Sequence, residues 1–133
     1  MTVRITGTAF KDIVPEIQEA LDTALAGTLN LQQGSLAKAN PKDTGRMAAS
    51  WTVGQNSPDR SVKPEGQQDP TPTPYSGKIT FDGTWYISNN LPYSLFIAYN
   101  YPPSATKAQK DWFTSVANQT GNVFSRQFNK VKP

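Results

Sequence analysis

Carboxylates and lysines are the side chains of this sequence that could carry out acid, base or nucleophilic chemistry, because the chain contains no histidine and no cysteine. A Ser-His-Asp triad, a Cys-His pair and a zinc site with His or Cys ligands are therefore excluded. The three glutamates fall where we expect a helix surface or a loop: Glu16, Glu19 and Glu65. Asp43, Asp82 and Asp111 suit a helix cap, a turn and a helix N-terminus. We predict that the protein is not an enzyme.

The glycine patterns that bind phosphate groups are also absent. Neither Gly-x-x-x-x-Gly-Lys-Ser/Thr nor Gly-x-Gly-x-x-Gly occurs in the sequence, and loops of these two kinds cradle nucleotides. We therefore predict no cofactor and no metal site.

Basic residues are concentrated near the C-terminus. The net charge is +3, and Arg126, Lys130 and Lys132 lie within the last stretch of the chain. Such a group could contact DNA or an acidic protein surface. Basic residues in the last turn of a helix also favour the helix dipole, so both interpretations stay open.

Two amphipathic helices are predicted toward the two ends of the chain. Over residues 10–31, apolar side chains recur every 3.6 residues, and Gly34 is the expected end because glycine suits a left-handed cap. Over residues 104–130, aromatic and aliphatic side chains repeat at the same spacing, with a weak point at Gly121.

The middle of the chain predicts a small antiparallel sheet. Residues 51–54 have the composition of a strand, and residues 78–88 alternate around Asp82-Gly83, a dipeptide typical of a hairpin turn. The apolar block 89–103 could be a strand or a helix, and we expect it to pack on this sheet. The predicted fold class is α+β, with a small antiparallel sheet packed by a long N-terminal helix and a long C-terminal helix.

Residues 55–77, which we call the arm, interrupt this pattern. Prolines stand at positions 58, 64, 70, 72 and 74, and aliphatic residues are almost absent. Such a segment buries too little apolar surface to offset the entropy lost on ordering. We expect a mobile loop or an extended arm within a single domain that spans residues 1–133.

No stretch of the sequence is apolar enough for a membrane span or a signal peptide. We therefore expect a protein that is made in the cytoplasm and has no membrane partner.

The run PKDTGRMAASW, residues 41–51, combines a turn, a helix start and an apolar stripe; we call it the joint. Pro41 disfavours the helical conformation for the residue before it, so a preceding helix should end there. Asp43 or Thr44 could cap the first turn of a new helix. Two apolar side chains four residues apart, Met47 and Trp51, then fall on one face.

The joint resembles the signature segment of the head-tail joining and tail-completion proteins of long-tailed bacteriophages, written Pro-x-Asp-Thr-Gly-Arg-(Leu/Met)-x-x-Ser. A second block, residues 87–99, is similar to that family's Val/Ile-x-Asn followed by Pro-Tyr-Ala-x-x-Ile/Val-Glu-Phe/Tyr-Gly, in the expected order. The chain departs from the pattern at Ala98, where the family often has Glu, and at Asn100-Tyr101, where it often has Gly-Thr. The resemblance covers most of the chain.

The resemblance implies a structural virion protein at the phage neck or upper tail end, made in the host cytoplasm. It would assemble as a ring, such as a hexamer or dodecamer, contact neighbouring neck and tail proteins, and join the tail to the DNA-filled head. The interface or motif candidates are Pro41, Asp43, Thr44, Gly45, Arg46, Trp51, Tyr93 and Tyr99.

We further hypothesise that Arg46 holds the joint by pairing with an acidic group or with backbone carbonyls, while the arm and the C-terminal helix contact neighbours. The competing interpretation treats Arg46 as a solvated helix residue and the arm as a disordered loop. Other functions stay open: a tail terminator or tube-end protein, a DNA-contacting module that uses the C-terminal basic residues, and a glycan binder that uses the aromatic residues.

Overall fold

The computed structural model describes residues 1–6, 15–41, 45–94 and 110–133, and these residues form an α+β fold. The strands are β1 (Thr2–Thr6), β2 (Trp51–Gln55) and β3 (Thr84–Asn89). The helices are α1 (Pro15–Ala39), α2 (Gly45–Ala49), α3 (Trp112–Asn118) and α4 (Thr120–Val131). The predicted fold class is confirmed.

β3 is the central strand of an antiparallel sheet with the order β1-β3-β2. The register places Val3, Ile87 and Val53 in one row, and all three side chains are buried on the face that meets the helices. The sequence-based prediction lacks β1, although Val3 and Ile5 alternate with polar residues in the pattern of a half-buried strand.

The predicted hairpin around Asp82-Gly83 is wrong. Residues 78–83 form no strand, and β3 pairs with β1 on one side and β2 on the other. Because both edges of β3 are occupied, the segment before it has no free edge to join. This segment instead contacts α1, where the Phe81 amide donates to the Asp22 carboxylate at 2.6 Å. Gly83 does adopt the positive φ of a tight turn, 69°.

α1 continues beyond its predicted end at Gly34 and runs to Ala39. Gly34 is exposed, and a side chain there would meet no atom within 4 Å. Leu36 and Ala37 follow it and are buried in the core. Their burial outweighs the cost of a glycine in a helix, about 1 kcal/mol. The predicted start at residue 10 lies outside the described residues.

The C-terminal helical region consists of two helices, with Gln119 between α3 and α4. The break falls beside Gly121, the predicted weak point, while the predicted start at residue 104 lies outside the described residues. α4 runs antiparallel to α1, because the Gln32 side chain donates to Thr120 Oγ1 at 2.8 Å and Gln127 packs beside Gly27.

The core lies between the buried face of the sheet and the helices. Its largest fully buried apolar side chains are Leu25, Leu29, Leu36, Trp51, Trp85, Ile87 and Leu91. Two of these seven side chains are tryptophans, so aromatic residues supply much of the buried volume. In the described ranges, no helix has the length and hydropathy needed to cross a bilayer.

Candidate interaction site at the joint and the arm

The joint packs into the core through a residue of α2 and a residue at the start of β2. α2 occupies Gly45–Ala49, and the chain turns at Ser50 directly into β2. Met47 is almost fully buried and Trp51 is completely so. The Trp51 indole stacks on Phe113, with ring centroids 5.9 Å apart, and meets Trp112 edge-on, with centroids 6.2 Å apart. Trp51 is therefore a core residue with no surface exposed to solvent, and its place among the interface or motif candidates stays a prediction.

Two buried asparagines fix the position of the joint. The Trp51 indole N–H donates to Asn40 Oδ1 at 3.1 Å, and the Asn40 amide group donates to the Pro41 carbonyl at 3.0 Å. From the other side, Asn89 Nδ2 donates to the Met47 carbonyl at 2.7 Å. Asn89 belongs to the second block of the resemblance, so the described parts of both motifs meet at this hydrogen bond.

Replacing Asn89 with alanine should cost about 2 kcal/mol of folding free energy. The Met47 carbonyl would lose one of its two donors and keep the Ser50 amide, and the Leu91 amide, which lies 3.3 Å from Asn89 Oδ1, would lose its acceptor. A buried polar group left without a partner costs about 1–3 kcal/mol. Urea unfolding followed by circular dichroism measures the loss.

Asn90→Ala is the matched control. Asn90 is exposed, and its side chain makes one long hydrogen bond, 3.3 Å, to the Arg60 carbonyl. Its loss should cost less than about 0.5 kcal/mol, as for most surface substitutions. Equal effects at positions 89 and 90 would contradict the role assigned to Asn89.

The arm lies against the joint, and side chains of the domain hold its backbone. Arg46 Nε donates to the Lys63 carbonyl at 2.8 Å, and the Lys63 amide donates to Ser50 Oγ at 3.0 Å. Both backbone groups of Lys63 are therefore bound by the joint. Gln33 Nε2 donates to the Thr73 carbonyl at 2.9 Å. The hypothesis that Arg46 binds backbone carbonyls agrees with this geometry, and its carbonyl partner belongs to the arm.

Gly45 is required where the arm crosses the joint. A Cβ at this position would overlap the Gln68 carbonyl oxygen and lie 2.6 Å from the Gln68 carbonyl carbon. The obstacle is backbone, which cannot rotate away as a flexible side chain would. Gly45 and Arg46, adjacent in the motif, therefore serve the same contact, one by close approach and one by hydrogen bonding.

Tyr75 anchors the returning half of the arm. Its ring meets Trp85 edge-on, with centroids 5.2 Å apart, and packs against the core. Between Tyr75 and the outgoing half of the arm lies a groove of about 440 Å³, whose floor includes the edge strand β2. The two halves of the arm thus flank a sheet edge, a common way to keep an edge from pairing with other chains.

The arm has local turns of its own, one near its start and one in its returning half. Hydrogen bonds from the Thr71 side chain and backbone amide lower the pKa of Asp69 below its ordinary value. Asp59 accepts hydrogen bonds from the Ser61 amide and hydroxyl at 2.9 and 2.7 Å. Both aspartates stabilise turns in an exposed segment.

The other predicted site residues are either exposed or outside the described residues. Pro41 and Tyr93 are exposed, and Asp43, Thr44 and Tyr99 lie outside the described residues. The predicted basic residues are exposed along and beyond the end of α4: Arg126, Lys130 and Lys132.

The candidate site residues do not include three polar residues that hold the joint and the arm: Gln33, Ser50 and Asn89. Ser50 and Asn89 occupy the Ser and Asn positions of the two motifs. Gln33 lies on the buried face of an amphipathic helix, where a polar side chain signals a specific hydrogen bond. Nothing in the sequence indicates which backbone groups Gln33, Ser50 and Asn89 bind.

No group of three or more acidic, His or Cys side chains within the described ranges could hold a metal ion. Comparison of the chain with protein-family models, with curated proteins and with solved structures finds no match in any of the three.

Proposed function

We propose that this chain is a structural protein of a phage neck or upper tail end, which assembles as a ring and joins the tail to the DNA-filled head. The observation that carries the proposal is the pair of ordered motifs, residues 41–51 and 87–99, whose spacing and residue types resemble that protein family. Its action is binding, and it has no cofactor and no catalytic residue.

The geometry of the joint supports the proposal. The two motifs are far apart in sequence, yet Asn89 contacts the joint directly. The glycine and arginine of the first motif both hold the arm. The motif residues thus act together to position an exposed, extended segment, which is a suitable element for contacts between ring subunits.

An early stop codon in this gene, within a phage that carries it, tests the proposal. Negative-stain microscopy of the lysate should show full heads and complete tails that remain separate. A plasmid copy of the intact gene is the control and should restore joined particles. Normal infectious particles in the absence of the protein would overturn the proposal.

The same experiment distinguishes the alternative of a tail terminator or tube-end protein. Loss of a terminator leaves the tube free to continue, so tails would be abnormally long or absent. Complete tails of uniform length, unattached to heads, would favour the joining role over termination.

Contact with DNA is a second candidate function, favoured by the exposure of Arg126, Lys130 and Lys132 along and beyond the end of α4. Phosphate contacts release counterions, so such binding would weaken steeply as salt rises and would fall when Lys130 and Lys132 are changed to glutamine. Absence of binding to free DNA would exclude this candidate, and binding that shows neither effect would exclude the three basic residues as its site.

A further inference from the structure

We propose that the outer edge of β1 binds an extended segment of a different protein, which joins the sheet as a fourth strand and places a carboxylate opposite Arg4. The inference goes beyond the proposed function and does not depend on it, because it concerns only the chemistry of one edge of the sheet.

The two edges of the sheet differ in how they are covered. The edge at β2 is flanked by both halves of the arm, and Gln33 Nε2 donates to the Trp51 carbonyl there at 2.9 Å. At the other edge, Thr2, Arg4 and Thr6 are all exposed. Among the described residues, the backbone of β1 hydrogen-bonds only along β3. The structure thus protects one edge and leaves the other accessible.

The register shows which backbone groups of β1 are available for pairing. The Asn89 amide donates to the Met1 carbonyl at 3.1 Å. Hydrogen bonds alternate along an antiparallel ladder, so Val3 and Ile5 also direct their N–H and C=O groups toward β3. The groups of the intervening residues point away from the sheet, and these residues are Thr2, Arg4 and Thr6. Such a row of donors and acceptors is what an added strand pairs with.

The core-facing side of β1 is not fully covered. Ile5 and Met1 are half-buried and pack against the core, while Val3 between them is buried. Residues directly opposite each other on paired strands place their side chains on the same face. Apolar residues opposite Val3 and Ile5 would therefore cover Ile5 and extend the core by one strand.

Arg4 determines which strands can pair with this edge. It lies at the centre of β1 and is exposed on the face opposite to that of Val3 and Ile5. Symmetric pairing with the β1 of a second copy would place two guanidinium groups opposite each other, and like charges in this position are destabilising. A carboxylate opposite Arg4 forms a favourable pair instead. Arg4 therefore disfavours a second copy and selects an acidic segment of another chain.

A peptide of the sequence Thr-Val-Glu-Val-Thr, acetylated and amidated at its ends, tests the proposal. Antiparallel to residues 2–6, it places its glutamate opposite Arg4 and its two valines opposite Ile5 and Val3. Titration followed by two-dimensional NMR should shift the amide signals of β1 at millimolar peptide. Hydrogen exchange of the Arg4 amide should slow at least fivefold at saturation, because that amide gains an acceptor.

Three altered peptides are the controls. Lysine in place of the glutamate should weaken binding about fivefold, because like charges then face each other. A methyl group on the glutamate amide, which faces β1, should abolish binding, whereas a methyl group on a valine amide, which faces away, should not. Equal binding of the two methylated peptides would overturn pairing at the edge. Equal binding of the glutamate and lysine peptides would overturn the role of the carboxylate.

Two protein variants complete the test. Arg4→Glu should reverse the preference, so that the lysine peptide binds more tightly than the glutamate peptide. Arg126→Glu, which changes an exposed residue on α4, is the matched control and should bind like the unchanged protein. No shift of the β1 amides up to about 10 mM peptide would overturn the proposal. Shifts of these amides with protein concentration alone would show that a second copy occupies the edge and would also overturn it.

Discussion

Trp51→Ala should destabilise the domain by about 3–5 kcal/mol, the range measured for large aromatic residues removed from protein cores. Trp51 is completely buried, stacks on Phe113 and bonds Asn40. The substitution leaves a cavity and an unpaired asparagine oxygen at the point where α1, the joint and α3 meet. Total stabilities of small domains are about 5–15 kcal/mol, so the loss is a large fraction of the whole.

Urea unfolding followed by circular dichroism measures this loss. Tyr93→Ala, which removes an aromatic ring that is 38% exposed, is the matched control and should cost about 1 kcal/mol or less. A Trp51→Ala protein with nearly unchanged stability would mean that the joint is peripheral and that Trp51 is free for another role.

Gly45→Ala should displace the arm while leaving the domain folded. The new methyl group would overlap the Gln68 carbonyl oxygen, so the arm backbone must move. Overpacking of this kind lowers the free energy of unfolding by about 1–3 kcal/mol. The hydrogen bond from Arg46 to the Lys63 carbonyl would weaken as the arm moves. Limited proteolysis with trypsin, which cleaves the Arg60-Ser61 bond in the arm, should become at least tenfold faster, with little change in the helical circular dichroism signal.

Gly34→Ala is the matched control for this glycine. A Cβ at Gly34 meets nothing within 4 Å, and the position lies inside α1. Alanine there should stabilise the protein by about 0.5–1 kcal/mol through helix propensity and leave arm cleavage unchanged. Cleavage of Gly45→Ala at the rate of the unchanged protein would refute the close contact between the joint and the arm.

Much of the fold follows from short-range patterns. The 3.6-residue period predicted helices in the regions of α1, α3 and α4, and the composition of residues 51–54 predicted β2. The proline-rich composition correctly indicated that the arm forms neither helix nor strand after Gln55, and whether it is mobile stays a prediction. The errors lie where long-range contacts outweigh local signals. Gly34 suits a helix end, yet burial of Leu36 carries the helix past it.

The candidate site shows the same difference between what short-range patterns predict and what long-range contacts decide. The motif identified Gly45 and Arg46 as notable residues, because turn and cap chemistry depends on a few neighbouring positions. That both residues contact the arm depends on a crossing between residues 45 and 68, which no local pattern encodes. The hairpin prediction at Asp82-Gly83 used a sound turn rule, but β1 and β2 already fill both edges of β3.

Residue types and local spacing thus determined the fold class, the exclusion of His- and Cys-dependent chemistry, and the position of the joint. Only the tertiary structure decided the strand order, the burial of Trp51, the bond between Asn89 and the joint, and the course of the arm. The physical reason is that helix period, turn preference and composition act over a few residues. Hydrogen bonds such as that between Asn89 and Met47 exist only when distant segments share one core.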